Sequence, residues 1–367
     1  MIRLVFDARM IKMSGIGRYI RSLIPELQKN FELILLGNKN DLSKYNVKVI
    51  PVLKPPYHPL EQLELFKKIP EAEIFWTPHF NVPLLPLRVK KRIATIHDIF
   101  HLTPFSRLNF FQKFYARLLY KNALKKSNIV FTISEFTKSE IIKYFPFMKK
   151  NIHKIKVIPH FAESIFKKKK FGEDERTTFL RKYDSPQNYI LYVGNIKPHK
   201  NITGLIEAFT YLVKEKPSLK LMCVGQKENF ITGNYNIKEL LKEKGLEDKV
   251  IFTGIISDNE LIKLYHFAEF LILPSFYEGF GLPPLEAFAC GCPVIVSDIP
   301  PLREVCGNAA FYVNPFSIKN IAEGMERLIE NSDLRKQLIK KGFKQLRIFN
   351  KEKILQKYIR TLNILLK

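Results

Sequence analysis

Short apolar runs alternate along this chain with stretches in which apolar residues recur every three or four positions. In the first part, the runs Leu4–Phe6, Leu33–Leu36, Val47–Val52, Ile74–Trp76, Ile93–Ile96 and Ile129–Ile133 predict strands. Amphipathic stretches near Arg18–Lys29, Leu60–Lys68, Leu108–Lys126 and Glu135–Tyr144 predict helices, the first of them after a glycine-containing turn at Gly15 and Gly17. Around Phe166–Glu175 a run of lysines gives way to a run of acids, and this block is the expected linker. The alternation then resumes, with strands at Tyr189–Val193, Lys220–Val224, Val250–Phe252, Phe270–Leu273, Val294–Ser297 and Phe311–Val313. Helices are expected from Asn201 and near Ile237–Lys244, Asn259–Phe267, Pro283–Ala289, Ile318–Ile329, Asp333–Arg347 and Lys351–Leu365. Strand and helix in turn point to parallel sheets covered on both faces, and so to two doubly wound α/β domains with a cleft between them. No repeat of 20–50 residues breaks this reading.

Composition narrows the class. The 367 residues are 46% hydrophobic and 26% charged, which suits packed domains and excludes dominant disorder. No stretch approaches the roughly 18 apolar residues of a membrane span. Asp7 interrupts the apolar start where the core of a signal peptide would continue, so a cytoplasmic protein is expected. Cys223, Cys290, Cys292 and Cys306 form neither a disulfide framework nor a zinc-ligand spacing, so no metal is expected. The net charge of +25 is segregated: residues 1–170 carry +20, residues 171–333 carry −5 and residues 334–367 carry +10. Such a basic surface serves solubility, or it meets a phosphate-bearing partner: nucleic acid, an anionic bilayer or a lipid-linked pyrophosphate.

The densest chemistry lies in Pro274-Ser275-Phe276-Tyr277-Glu278-Gly279-Phe280-Gly281-Leu282-Pro283-Pro284-Leu285-Glu286, just after a predicted strand and at the start of a helix. Glycines at Gly279 and Gly281 permit close backbone approach, so the amides of Phe280, Gly281 and Leu282 are candidates for a phosphate or sugar. Pro283 and Pro284 suit a first helical turn. Glu278 and Glu286, one on the loop and one on the helix, can address different parts of one ligand; alternatively Glu278 caps a helix and Glu286 faces solvent.

This segment resembles the Glu-x7-Glu signature of the family 4 retaining glycosyltransferases, and the string Asn195-Ile196-Lys197-Pro198-His199-Lys200-Asn201 resembles bacterial polysaccharide mannosyltransferases. The resemblance implies the GT-B fold: two Rossmann-like α/β domains facing a central cleft. It implies residues 1–170 as an acceptor-binding domain, 171–349 as a nucleotide-sugar-binding domain and 350–367 as a helix crossing back to the first. By the same resemblance Glu278 would hold the transferred sugar and Glu286 the ribose, with Phe280, Gly281 and Leu282 at the sugar and diphosphate. Tyr192-Val193-Gly194-Asn195-Ile196-Lys197-Pro198-His199-Lys200-Asn201 matches the first strand–helix junction of the second domain, where Lys200 is well placed to neutralise a diphosphate. Asn195 stands where the family often has arginine, so Lys197 or His199 would supply a second cation. In the first domain Gly15 and Gly17 would approach the donor diphosphate, and His97 of Thr95-Ile96-His97-Asp98 would contact the sugar or the charge developing beside it. Ser134 is expected to cap the helix that follows it rather than to touch ligand.

Between Leu108 and Lys126, Lys113, Arg117, Lys121 and Lys125 recur every four residues as one cationic stripe. Phe111, Phe114, Tyr115, Leu118 and Leu119 supply an apolar side, which either packs in the core with the lysines in water or docks on anionic lipid. The expected activity is transfer of a sugar, with GDP-mannose as favoured donor, to a glycan or lipid-linked acceptor, with no cofactor or metal required. Two rivals are a nucleotide-sugar 2-epimerase of the same fold and a basic nucleic-acid-binding protein. No helix-turn-helix, RNA-recognition or zinc signature supports the latter, so no nucleic acid is expected as partner.

Overall fold

Strands buried on both faces have no polar side to show, and parallel pairing with helical crossovers is the arrangement that covers them. The computed structural model describes residues 2–58, 60–183, 188–226 and 237–366. Among these, every strand pairing is parallel. The chain divides into two units. Unit 1 comprises residues 1–103, 108–160 and 351–367, and unit 2 comprises 104–107 and 161–350, so the charge reversal at Lys170–Glu175 lies inside unit 2.

Unit 1 begins β1 (Arg3–Asp7), α1 (Ser14–Asn30), β2 (Glu32–Gly37), α2 (Lys39–Leu42), β3 (Lys48–Pro51) and α3 (Glu61–Lys68). It continues β4 (Ala72–Thr77), β5 (Val89–Ile96), α4 (Phe110–Lys126), β6 (Ile129–Thr132), α5 (Glu135–Tyr144) and β7 (Ile155–Val157). Its sheet runs β3-β2-β1-β4-β5-β6-β7. On one face Val5 sits level with Ile34 and Phe75, and Ala94 with Val130. Helix α3 covers that face through Leu65, and α4 covers it through Leu119, Tyr120 and Leu124.

Unit 2 runs α6 (Glu173–Arg181), β8 (Tyr189–Val193), α7 (Ile202–Glu215), β9 (Lys220–Val224), α8 (Ile237–Lys244), β10 (Val250–Gly254) and α9 (Asp258–Phe267). It goes on with β11 (Phe270–Leu273), α10 (Leu282–Cys290), β12 (Val294–Ser297), α11 (Pro300–Cys306), β13 (Phe311–Val313), α12 (Ile318–Glu330) and α13 (Ser332–Leu346). Its sheet order is β10-β9-β8-β11-β12-β13. Strand order reverses direction between β1 and β4 in the first sheet and between β8 and β11 in the second. At such switch points the carboxyl ends of open α/β sheets hold ligands.

The last helix, α14 (Lys351–Leu366), belongs to unit 1. Tyr358 fixes it on the sheet face opposite α3 and α4. Its ring lies 5.6 Å from that of Trp76 and 4.9 Å from that of Phe131. Its hydroxyl accepts a hydrogen bond from Tyr19 (3.1 Å) and donates to the Ile158 carbonyl (3.3 Å). A buried aromatic with its one polar atom satisfied contributes both area and direction.

Several segments differ from the sequence expectation. Gly15 and Gly17 are not in a turn: α1 starts at Ser14, and both glycines lie in its first turn. A Cβ on Gly17 would come within 2.4 Å of the Ile11 carbonyl oxygen, so the glycine serves close packing of the preceding loop. Glu173, Asp174 and Glu175, read as linker, form the acidic first turn of α6, where the helix dipole favours them. Helix α11 is absent from the expected elements; Pro300 and Pro301 open it, because proline fits the first helical positions.

A polar network is buried at the carboxyl ends of β1 and β4. Arg9 donates to both oxygens of Asp7 (2.9 and 2.8 Å) and to Glu61 Oε2 (2.8 Å), while Asn81 Nδ2 donates to Glu61 Oε1 (2.6 Å). The Asn81 backbone N–H donates to His79 Nδ1 (2.9 Å), and burial holds the His79 pKa down to about 3. His79 is therefore neutral in the folded chain, whereas the unfolded chain binds a proton below the ordinary value of 6.5. Folding stability should accordingly fall as pH drops from 6.5 toward 3, by up to about 1.4 kcal/mol per pH unit for this group. Denaturant melts across that window test this: His79→Asn, which keeps an acceptor for the Asn81 amide, should flatten the decline, and an unchanged slope would assign it to other groups.

Candidate active site

The apolar run of β8 delivers the chain to Gly194, whose N–H donates to the Val224 carbonyl (2.9 Å). The ends of β8 and β9 approach so closely that a Cβ on Gly225 would lie 2.2 Å from the Gly194 carbonyl oxygen. Asn195 Oδ1 accepts from the Gln226 N–H (3.3 Å), so this side chain ties the two strand ends together. Lys197 precedes a 3-10 turn, Pro198–Lys200. Asn201 then takes a left-handed conformation (φ 56°), and its Nδ2 donates to the Pro315 carbonyl (2.9 Å). A Cβ on Gly204 would come within 2.5 Å of Asn201 Oδ1, so that glycine makes room for the reversal. The result is Lys200 at the head of α7, beside the carboxyl end of β8.

The neighbouring strand across the switch point supplies the partner. β11 ends at Leu273, and the loop that follows is tied back by the Phe276 N–H, which donates to the His199 carbonyl (2.8 Å). With the loops joined, Lys200 Nζ lies 2.7 Å from each oxygen of Glu278. Ser275 Oγ donates to Glu278 Oε1 (2.8 Å). The pair is mostly buried, so it resists screening more than a surface pair does. Gly281 (φ 101°) is the N-cap of α10 and offers no side-chain cap; a Cβ there would lie 2.5 Å from Leu302. The amide of Leu282 thus heads a helix whose first turn also holds Pro283 and Pro284, which carry no N–H. The Phe280 ring is buried against Phe349.

Glu286 does not face solvent. It is 2% exposed on α10, and Tyr265 of α9 donates to its Oε2 (2.9 Å). The two carboxylates therefore have separate partners, Lys200 with Ser275 for Glu278, and Tyr265 for Glu286.

In unit 1, His97 follows β5. Its Nε2 is 2.9 Å from the Pro78 carbonyl oxygen, which fixes the proton on Nε2, and burial holds its pKa below the ordinary histidine value. The Tyr19 ring meets it edge-on at 4.8 Å. Asp98 Oδ1 accepts from the Phe100 N–H (2.9 Å) in a local turn. Ser134 accepts from the Thr137 N–H (3.0 Å) and caps α5. Gly15, Gly17 and His97 thus belong to unit 1, while Gly194, Asn195, Lys197, Lys200, Glu278, Phe280, Gly281, Leu282 and Glu286 belong to unit 2. Ser275 and Tyr265, which hold the two carboxylates, carry no signal in the sequence that singles them out: Tyr265 lies on a different helix from Glu286.

Residues 13–163 match the family model described as Glycosyltransferase Family 4, and residues 175–345 match Glycosyl transferases group 1. The chain is 34% identical over 269 residues to O-antigen chain mannosyltransferase RfbU of Salmonella typhimurium, an alignment spanning 71% of this chain and 68% of that one. It is 28% identical to O-antigen chain mannosyltransferase B of Escherichia coli, across 96% and 97% of the two chains. Among solved structures, sucrose-phosphate synthase from Thermosynechococcus elongatus superposes with a TM-score of 0.80 at 18% identity, covering 100% of this chain and 99% of that one. HepE from Anabaena, solved with UDP and glucose, gives 0.81 at 18% identity, covering 99% and 100%. Two parallel α/β units with these switch points, these motifs and these relatives lead to one conclusion: the chain belongs to the group 1, family 4 glycosyltransferases and has the GT-B fold.

Proposed function

We propose that this glycosyltransferase moves mannose, with retention of configuration, from GDP-mannose to a hydroxyl of a glycan or lipid-linked acceptor. The observation that carries the reading is the Lys200–Glu278 pair at the switch point of unit 2, beside the uncapped start of α10. A cation next to a helix N-terminus suits a diphosphate, and a buried carboxylate next to that cation suits sugar hydroxyls. The mannose lean draws on the relatives, whose names specify mannosyltransferases.

In the proposed reaction the acceptor oxygen attacks the anomeric carbon, and the bond from that carbon to the β-phosphate oxygen breaks. The electron pair of that bond passes to the phosphate, which takes the acceptor's proton as it leaves on the same face. Lys200 and the amides of Gly281 and Leu282 meet the growing negative charge, with Lys197 and the Gly15–Gly17 helix start as further contributors. Glu278 receives the sugar and Glu286 the ribose. Neutral His97, its proton held on Nε2, keeps Nδ1 free of a proton and so able to accept a hydrogen bond, the role the proposed reaction gives it at the sugar. Because protein groups supply the positive charge, turnover should persist in a chelator.

No described helix is long and apolar enough to cross a membrane. We further propose that the basic residues 1–170 bring the enzyme to an anionic membrane, the inner face of the cell membrane, where a lipid-linked acceptor lies.

Three measurements test this. Melting temperature in the presence of GDP-, UDP- and ADP-sugars should rise most with GDP-mannose; a larger rise with a UDP-sugar would overturn the donor assignment. Lys200→Ala should lower kcat by roughly 100-fold, and full activity would remove Lys200 from the site. Glu286→Gln, which keeps the Tyr265 contact, should raise the KM for donor about tenfold with a smaller effect on kcat; an unchanged KM would contradict the ribose role.

A further inference from the structure

Helix α4 is apolar on two sides. Ala116, Leu119, Tyr120, Ala123 and Leu124 form the buried side that packs on the sheet of unit 1. On the other side Phe110, Phe111 and Phe114 are 76%, 80% and 64% exposed, and Tyr115 and Leu118 are exposed beside them. Spacings of three and four residues place these five on one outward strip. Three phenylalanines left together in water are expensive unless something covers them.

Helix α3 repeats the pattern. Leu65 is buried, while Leu60, Leu63 and Phe66 are exposed at intervals of three. The two helices cover the same face of the sheet. α3 packs on Val5, Ile34 and Phe75, α4 packs on Ile96 and Val130, and strand register puts these residues on one side. Their outward strips therefore look the same way. The exposed Tyr57 phenol is under the electrostatic influence of both Glu61 of α3 and Tyr115 of α4.

The charge on α4 has one sign. α4 contains no acidic residue and carries Lys113, Arg117, Lys121, Lys125 and Lys126. Part of this charge is braced by the protein: Arg117 and Lys125 sit over the rings of Phe145 and Phe147. On α3, Glu64 is occupied by Lys68 and by the Leu53 and Lys54 amides, and Glu61 is buried against Arg9. Aromatic rings at the water boundary with lysines around them match the acyl–headgroup border of an anionic bilayer.

We propose that the outward strips of α3 and α4 form one docking surface for an anionic phospholipid bilayer, with Phe110, Phe111, Phe114, Leu63 and Phe66 entering the interface and the α4 lysines meeting headgroup phosphates. This deepens the reading that the enzyme works at an anionic membrane, and it rests on that reading. It groups α3 with α4, which no sequence spacing links.

Co-sedimentation with vesicles of equimolar phosphatidylglycerol and phosphatidylcholine, against pure phosphatidylcholine, tests it. The unmodified enzyme should bind the mixed vesicles and release from them at high salt. Phe110→Ser/Phe111→Ser/Phe114→Ser should weaken that binding by at least about tenfold, and Leu63→Ser/Phe66→Ser by several-fold, with unchanged melting temperatures because these side chains are exposed. If the unmodified enzyme binds and both variants bind equally well, this surface is wrong while the membrane reading survives. If only the α4 variant is impaired, the two-helix surface is overturned. If the unmodified enzyme binds neither vesicle, or binds both equally, the anionic-membrane reading itself falls. A concentration-dependent dimer that the phenylalanine variant abolishes, without vesicle binding, would give the face to a second copy of the chain.

Discussion

An ammonium group held within 2.7 Å of both oxygens of one carboxylate, at the point where two strands part, is what the chemistry of unit 2 is built around. Taking such a pair out of water carries a desolvation cost that mutual attraction only partly offsets, so the pair adds little to stability. The backbone nevertheless goes to lengths to create it. Asn201 adopts a left-handed conformation, Gly204 gives up its Cβ, and the Phe276 amide is spent on joining two loops. On the proposed reading the strain and desolvation are accepted because a sugar diphosphate replaces part of the Lys200–Glu278 interaction with contacts to both groups at once.

The same economy governs the rest of the site. α10 begins at a glycine in a conformation that a side chain would oppose, with no polar side chain closing its end. Ser275 donates to Glu278 and Tyr265 to Glu286, so each carboxylate is oriented by a hydroxyl of its own. In unit 1 the burial that keeps His79 and His97 neutral sits at the corresponding strand ends, where Arg9 is locked between Asp7 and Glu61.

Much of this was legible in the sequence, for identifiable reasons. β8, β9, β11, β12 and β13 match the apolar runs residue for residue, because strands buried on both faces leave unbroken signatures. Lys200, Glu278 and Glu286 stood out through local motifs at strand ends. What failed to show was whatever depends on distant contacts. Lys200 and Glu278 are 78 positions apart and Tyr265 is 21 from Glu286, so no spacing reveals either pairing. α11 was hidden by its two prolines, and the first turn of α1 by its two glycines, because both residue types have a helical use as well as a helix-breaking one. On α4 the sequence offered a single apolar side and two fates for it. The structure splits that side: Leu119 goes to the core with Ala116, Tyr120, Ala123 and Leu124, and Phe111, Phe114, Tyr115 and Leu118 go to the surface.

The central claim is that Lys200 is the charge that receives the donor's diphosphate. Calorimetric titration of the Lys200→Met variant with GDP and, separately, with guanosine isolates that charge from every contact to base and ribose. The account predicts that GDP affinity falls by about 1.5–3 kcal/mol, the worth of a hydrogen bond to an ionised group, while guanosine affinity stays the same. Equal affinity of the variant and the unmodified enzyme for GDP would contradict it.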